Sequence, residues 1–403
     1  MKLINRPTYT NRIIPFINKQ VIKVLNGQRR VGKSYVMLQL MENIRTIDSN
    51  ANIVYINMEE DDFSHIKTHE DLTTYLKDKF PTDKNNYFFI DEVQEVKEFE
   101  RTLRGLLAKN TCDIYCTGSN AHMLSGELAT QLSGRYIVFQ IHSLSFLEFL
   151  EFHQLENKSE SLILYLKYGG MPFLSNIGLQ ENLPYEYLRS VYATIILKDV
   201  VARENIRNIS FLENLVAHLA DNMGSLFSAN NISKYLKSKR VEISTQLTIN
   251  YLRALSNTFF IHKVQRSEVG GLKIFEIGEK YYFEDLGLRN AITGFNQLAD
   301  IHKLMENAVY LHLRQQNFNV FVGKLGDNEI DFVSEKNGNK MYIQVCLTIQ
   351  SENTATREFG NLLKIEDNYP KYVITLNDVI MGQNKEGIMQ KNLLEFLSEQ
   401  IDY

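Results

Sequence analysis

The sequence predicts an α/β fold with a parallel sheet in its amino-terminal part, and three observations carry that expectation. Short apolar runs near Val21, Ile53, Tyr87, Asp113 and Tyr136 alternate with helix-like segments, the rhythm of strand-helix-strand units. The first run, Val21-Ile22-Lys23-Val24-Leu25, leads into Gly27 to Ser34, G-Q-R-R-V-G-K-S, and then into a helix-like stretch from Tyr35 to Ile44. The run Tyr87-Phe88-Phe89-Ile90 ends in two carboxylates, Asp91 and Glu92, as a buried strand does where it emerges at a ligand-binding edge.

The octapeptide fits the G-x-x-x-x-G-K-[ST] pattern of a phosphate-binding loop and sits where such a loop must, between a strand and a helix. Its glycines let successive backbone N–H groups turn toward a polyphosphate, and the following helix presents its positive dipole end to the same anion. Gly27, Gln28, Arg29, Arg30, Val31, Gly32, Lys33, Ser34 and Tyr35 form the expected nucleotide-binding stretch. Lys33 is expected to neutralise the β/γ oxygens and Ser34 to hold Mg²⁺. Asp91 is placed to order the metal shell, which leaves Glu92 as the base that activates water.

A further strand, Asp113-Ile114-Tyr115-Cys116, ends in Thr117-Gly118-Ser119-Asn120. These hydroxyls and the Asn120 amide are candidates for positioning water or sensing a γ-phosphate, with an ordinary polar turn as the alternative. Arg135, in Ser133-Gly134-Arg135 before the run Tyr136 to Ile141, is a candidate phosphate fork acting in cis or from a neighbouring subunit of a homo-oligomer. A surface salt bridge is the other reading. Lys33, Asp91, Glu92, Asn120 and Arg135 thus form the expected catalytic set.

Together with Leu144-Ser145-Phe146-Leu147-Glu148-Phe149 and Tyr168-Gly169-Gly170-Met171-Pro172, these motifs give the chain a resemblance, over nearly its whole length, to prokaryotic AAA-type ATPases that carry a C-terminal domain named DUF4143. The resemblance implies a P-loop NTPase core of the AAA superfamily, a winged-helix middle and a nuclease-like end. The expected domains are an ATPase core at 1–150, a helical extension at 151–205, a winged helix at 206–295 and a PD-(D/E)xK nuclease-like domain at 296–403.

The residue pattern supplies its own reasons for the later domains. Phe211 to Met223, Ala229 to Leu236 and Ser244 to Asn257 read as three helices, and Phe259 to Val264 and Leu272 to Ile277 as a hairpin around Gly270-Gly271. In a winged helix the third helix would be the recognition helix, with Thr245, Gln246 and Thr248 exposed near its start. Lys234, Lys237, Lys239 and Arg240 add a basic cluster, and DNA is the expected partner. A protein-interaction or lid module is the competing reading.

From Ile301 onward, a helix containing Glu306, strands at 319–322, 329–333 and 340–346, a helix near 354–367 and a strand at 371–376 follow an order that resembles the PD-(D/E)xK nuclease fold. That resemblance gathers Glu306, Asp331 and Gln344 as a metal site, where an ion would polarise a phosphodiester. Cys346 stands at the position expected to hold lysine, and a thiol supplies no fixed positive charge. Lys340 shares the face parity of Gln344 but lies roughly 13 Å along the strand, and Lys324 is the other candidate replacement. The expectation is a nuclease fold without its cleavage activity.

At 403 residues the chain exceeds one ordinary core, and its 23% charged and 44% hydrophobic residues fit a globular multi-domain protein. No apolar stretch approaches the length of a membrane span, the start Met1-Lys2-Leu3-Ile4-Asn5-Arg6-Pro7 is too polar for a secretory signal, and no membrane partner is expected. The scattered Cys112, Cys116 and Cys346 form no disulfide framework, so the expected location is cytoplasmic. A net charge of −4 excludes a globally basic nucleic-acid binder. The sequence therefore leads to an ATPase with ATP and Mg²⁺ as its cofactors, acting on DNA. The alternatives are a slow ATP-loaded switch that binds a protein partner and an ATP-gated nuclease.

Overall fold

The computed structural model of the chain describes residues 4–121, 132, 134–180, 182–204, 206–228, 232–234, 244–269, 274–348, 359–376 and 384–401. They fall into two compact units, one of residues 1–142 with 257–259 and one of residues 143–256 with 260–403.

The first unit is a five-stranded sheet in the order β2-β3-β4-β1-β5, all neighbours parallel. Its strands are β1 (Ile22–Asn26), β2 (Asn52–Asn57), β3 (Asn86–Asp91), β4 (Asp113–Gly118) and β5 (Tyr136–Gln140). The order accounts for their composition. β1 and β4, each flanked on both sides, are buried at every residue, whereas the edge strands β2 and β5 are mostly half-buried. Helices α1 (Pro7–Ile13), α2 (Lys33–Ile47), α3 (His69–Leu76) and α4 (Phe99–Lys109) connect and cover them. Ile22, Val24, Ile56, Phe88, Ile90, Leu103, Ile114 and Cys116 belong to one buried apolar cluster. Because β1 lies between β4 and β5, the connection from β1 runs to β2 on one side while that from β4 runs to β5 on the other, which opens a crevice at the carboxyl edge of the sheet.

The second unit begins with α5 (Phe146–His153), α6 (Ser159–Tyr168), α7 (Leu174–Ile177), α8 (Leu183–Thr194) and α9 (Ile209–Asp221). Further along come α10 (Thr245–Asn257), α11 (Leu286–Thr293), α12 (Gln297–Gln315) and α13 (Leu393–Ser398). Its eight-stranded mixed sheet has the order β12-β13-β11-β10-β9-β8-β6-β7. The strands are β6 (Ile261–Glu268), β7 (Ile274–Phe283), β8 (Asn319–Leu325), β9 (Asn328–Lys336), β10 (Asn339–Val345), β11 (Lys371–Thr375), β12 (Asn384–Lys385) and β13 (Ile388–Asn392).

Two expectations meet a different outcome here. The hairpin read as a wing is β6-β7, and β6 pairs in parallel with β8, so the hairpin forms one end of the same sheet as the later strands. Thr248, expected to be exposed, is fully buried, because it falls on the face of α10 that also buries Tyr251, Leu252 and Leu255. Gln246 and Arg253 lie on the exposed face. Most of the expected second helix, and Lys237, Lys239 and Arg240, lie outside the described residues; Lys234 is exposed.

Candidate nucleotide-binding site

β1 ends at Asn26, the loop turns at once, and α2 starts at Lys33. Only glycine fits at position 27, since a Cβ there would lie 2.1 Å from the Ile141 carbonyl oxygen. Arg30 and Gly32 take left-handed backbone conformations, φ 70° and 97°, and bend the loop back toward the helix start. The Lys33 ammonium donates to the carbonyls of Gly27 at 3.1 Å and Gln28 at 3.0 Å and lies 3.7 Å from Glu92 Oε1.

Arg6, which the sequence reading did not single out, fixes this loop from the interior. Its Nη1 donates to the Val31 carbonyl at 2.8 Å, its Nη2 to the His142 carbonyl at 3.0 Å, and the guanidinium lies over the Tyr9 ring at 4.6 Å. The trace in the sequence is an arginine next to Pro7, the residue that opens α1. Gln28 is fully buried, and neither atom of its amide has a hydrogen-bond partner among the described residues. Val31 is buried, Arg30 and Tyr35 are exposed, and Arg29 pairs with Glu59 at 2.8 Å.

The two carboxylates stand at the carboxyl end of β3, tied to β4 by Thr117. Its hydroxyl donates to Asp91 Oδ1 and accepts the Glu92 backbone N–H at 2.8 Å. Burial pushes the Asp91 carboxyl above its ordinary value, while hydrogen bonds from Ser34 and Thr117 pull against it. Burial also pushes Glu92 up, but Lys33 and Arg29, with bonds from Gln94 and Ser119, outweigh it and hold Glu92 below the usual range. These groups favour the charged form of Glu92. Its backbone is left-handed, φ 54°, a strain of order 1 kcal/mol that persists where a side chain must be aimed. Ser119 Oγ donates to Glu92 Oε2 at 3.1 Å, and Asn120, just past β4, is buried beside it in the chain at the same edge.

Ser34 and Asp91, hydrogen-bonded to one another, form an all-oxygen pair suited to a hard divalent ion. Arg135 is not brought to this place. It is exposed in the turn before β5, and the parallel register sets Tyr136 beside Ile22, at the opposite edge from the loop, which excludes its reaching a phosphate in cis.

In the second unit Glu306 on α12, Asp331 on β9 and Gln344 on β10 do come together, and Gln344 Oε1 accepts the Asp331 backbone N–H at 3.4 Å. The lysine among them is Lys280 of β7, 2.9 Å from Glu306 Oε1. Sequence reasoning passed over it, although a lysine beside the apolar run Tyr281-Tyr282-Phe283 is the available signal. Lys340 pairs instead with Glu335 at 2.9 Å, and Cys346 is buried just past β10.

A family profile described as "AAA domain" matches residues 19–150, and one described as "Domain of unknown function (DUF8612)" matches residues 159–299, where the sequence resemblance had named DUF4143. An uncharacterized protein of Haemophilus influenzae is 35% identical over 379 residues, covering 93% of each chain. An uncharacterized protein of Methanocaldococcus jannaschii is 31% identical over 397 residues, covering 94% of this chain and 86% of the relative. The solved Aeropyrum pernix ORC1 protein in complex with DNA shares 12% identity over 74% of this chain and 95% of its own, at a TM-score of 0.34, too low to support an argument. No helix among the described residues is long and apolar enough to cross a membrane. The chain carries an AAA domain over its phosphate loop and both carboxylates and, with relatives aligned over nearly its full length, belongs to one family with these H. influenzae and M. jannaschii proteins.

Proposed function

We propose that the protein is a Mg²⁺-dependent ATPase. The observation that supports this most is the convergence of Lys33, Ser34, Asp91 and Glu92 at one carboxyl edge, with the charged form of Glu92 favoured and Asp91 bonded to Ser34. Lys33 leaves its loop carbonyls to take the β/γ oxygens, and the loop N–H groups and the start of α2 hold the rest of the polyphosphate. Bound Mg²⁺ supplies charge neutralisation at the leaving phosphate. Glu92, steadied by Ser119 and Gln94, accepts a proton from the attacking water, and Asn120 and Ser119 orient that water. Calorimetry and phosphate release with ATP and Mg²⁺ test the reading. Heat and turnover are expected, and no heat with either adenine or guanine triphosphate contradicts it.

We infer further that nucleotide state governs the second unit and that this unit acts on DNA through α10, whose exposed Gln246 and Arg253 are of the types that read base edges and phosphates. Fluorescence anisotropy with labelled duplex DNA, with and without ATP, is the test. Binding that weakens in Arg253→Ala and with added salt is expected; ATP-independent absence of binding overturns it.

A further inference from the structure

We propose that the ammonium group of Lys280 is the resident cation of the acidic constellation in the second unit, standing in the place of a divalent ion. Its Nζ is 2.9 Å from Glu306 Oε1, 2.9 Å from Glu329 Oε1 and 3.6 Å from Asp331 Oδ1. Lys280 is 3% exposed and Glu306 4%. Carboxylates gathered out of water need a nearby cation or must protonate. The lysine arrives from β7 because the hairpin joins the sheet of β8 and β9.

Several of the oxygens that would otherwise coordinate metal already hold hydrogen bonds. Glu306 Oε1 also accepts the Tyr282 hydroxyl at 2.6 Å, and Asp331 Oδ2 accepts the Val345 backbone N–H at 2.8 Å. Gln344 Oε1 takes the Asp331 N–H, and the Val345 carbonyl accepts from His302 Nε2 at 3.0 Å. Gly224 lies beside Glu306, since a Cβ there would come within 3.0 Å of Glu306 Oε2. A hard divalent ion held by one or two carboxylates fills the rest of its shell with water, and with the Lys280 ammonium standing between these carboxylates the set does not take one. Burial alone would lower the lysine's proton affinity, but the three carboxylates more than reverse it and keep the group charged.

The test is Mn²⁺ binding to the full-length, nucleotide-free protein, followed by electron paramagnetic resonance and calorimetry. Wild type and Asp331→Asn are expected to take up Mn²⁺ equally, with no Asp331-dependent site at millimolar metal. Lys280→Met is expected to gain one site, lost again in Lys280→Met/Asp331→Asn. An Asp331-dependent site in the wild type overturns the proposal, as does a folded Lys280→Met that gains none. Should Lys280→Met fail to fold, Lys280→Met/Glu306→Gln, which removes opposite charges together, is expected to fold. The comparison of wild type with Asp331→Asn then decides.

Discussion

Lys33 Nζ lies 3.7 Å from Glu92 Oε1 in a loop whose own carbonyls hold the same ammonium, so the expected phosphate-binding cation and the expected base share one buried electrostatic unit. Lys33 is among the groups that pull Glu92 below its ordinary pKa. Changes at either end separate binding from turnover.

Lys33→Ala removes the cation that would face the β/γ oxygens. Loss of a charge-assisted contact worth about 1.5–3 kcal/mol weakens ATP binding by up to about one hundredfold. Isothermal titration with ATP and Mg²⁺ measures it, and an unchanged Kd would count against the site.

Glu92→Gln keeps the shape and removes the proposed base. Nucleotide affinity should stay within a few fold while turnover falls by about 10²–10⁴. Steady-state phosphate release measures this, and undiminished turnover assigns the base elsewhere.

Thr117→Val conserves volume but leaves the Glu92 N–H and Asp91 Oδ1 without the hydroxyl that joins them. The cost is about 1–3 kcal/mol in urea unfolding, accompanied by slower turnover as Glu92 loses its fixed backbone. Thr117→Ser should restore most of both; if it rescues neither, the hydroxyl is not the connecting element.

Asp113→Ala strands the Lys23 ammonium, which is completely buried in β1 and paired with Asp113 in β4. Asn18 N–H at 2.9 Å and the Tyr115 hydroxyl at 2.8 Å also donate to Asp113. Removing one partner of such a pair costs about 3–5 kcal/mol. Lys23→Met/Asp113→Leu should recover most of that stability, and chemical denaturation of both variants decides.

Asp285 caps α11 through Leu288 N–H at 2.9 Å and accepts Gly170 N–H of the Tyr168-Gly169-Gly170-Met171-Pro172 motif at 2.7 Å. Burial, with Glu284 adding repulsion, raises its pKa from 3.8 to about 7. Between those values the native state holds a proton that the unfolded chain releases, so stability falls as pH rises, by about 4 kcal/mol across the window. The difference in unfolding free energy between wild type and Asp285→Asn should shrink in the wild type's disfavour from pH 4 to pH 7. A pH-independent difference would sink the assignment.

The strand runs that open the chain were legible because buried parallel strands are rich in apolar residues, and β1, β3 and β4 each carry several in a short run. The phosphate loop was legible because its demands are local: two glycines, a lysine and a hydroxyl in eight consecutive residues. Arg6 was not, since a single arginine carries no period and acts through carbonyls 25 and 136 residues away.

What the sequence by itself determined was therefore the content of short segments: which runs are strands, where the loop turns, and that two acids follow β3. Tertiary structure alone decided which distant groups share a site. The parallel register of β5 against β1 sets Arg135 at the opposite end of the strands from the loop, and the pairing of β6 with β8 carries Lys280 to Glu306 and Asp331. Local steric and hydrophobic demands are written residue by residue, whereas charge compensation in a buried cluster depends only on distance in space, and any strand the sheet brings near can supply it.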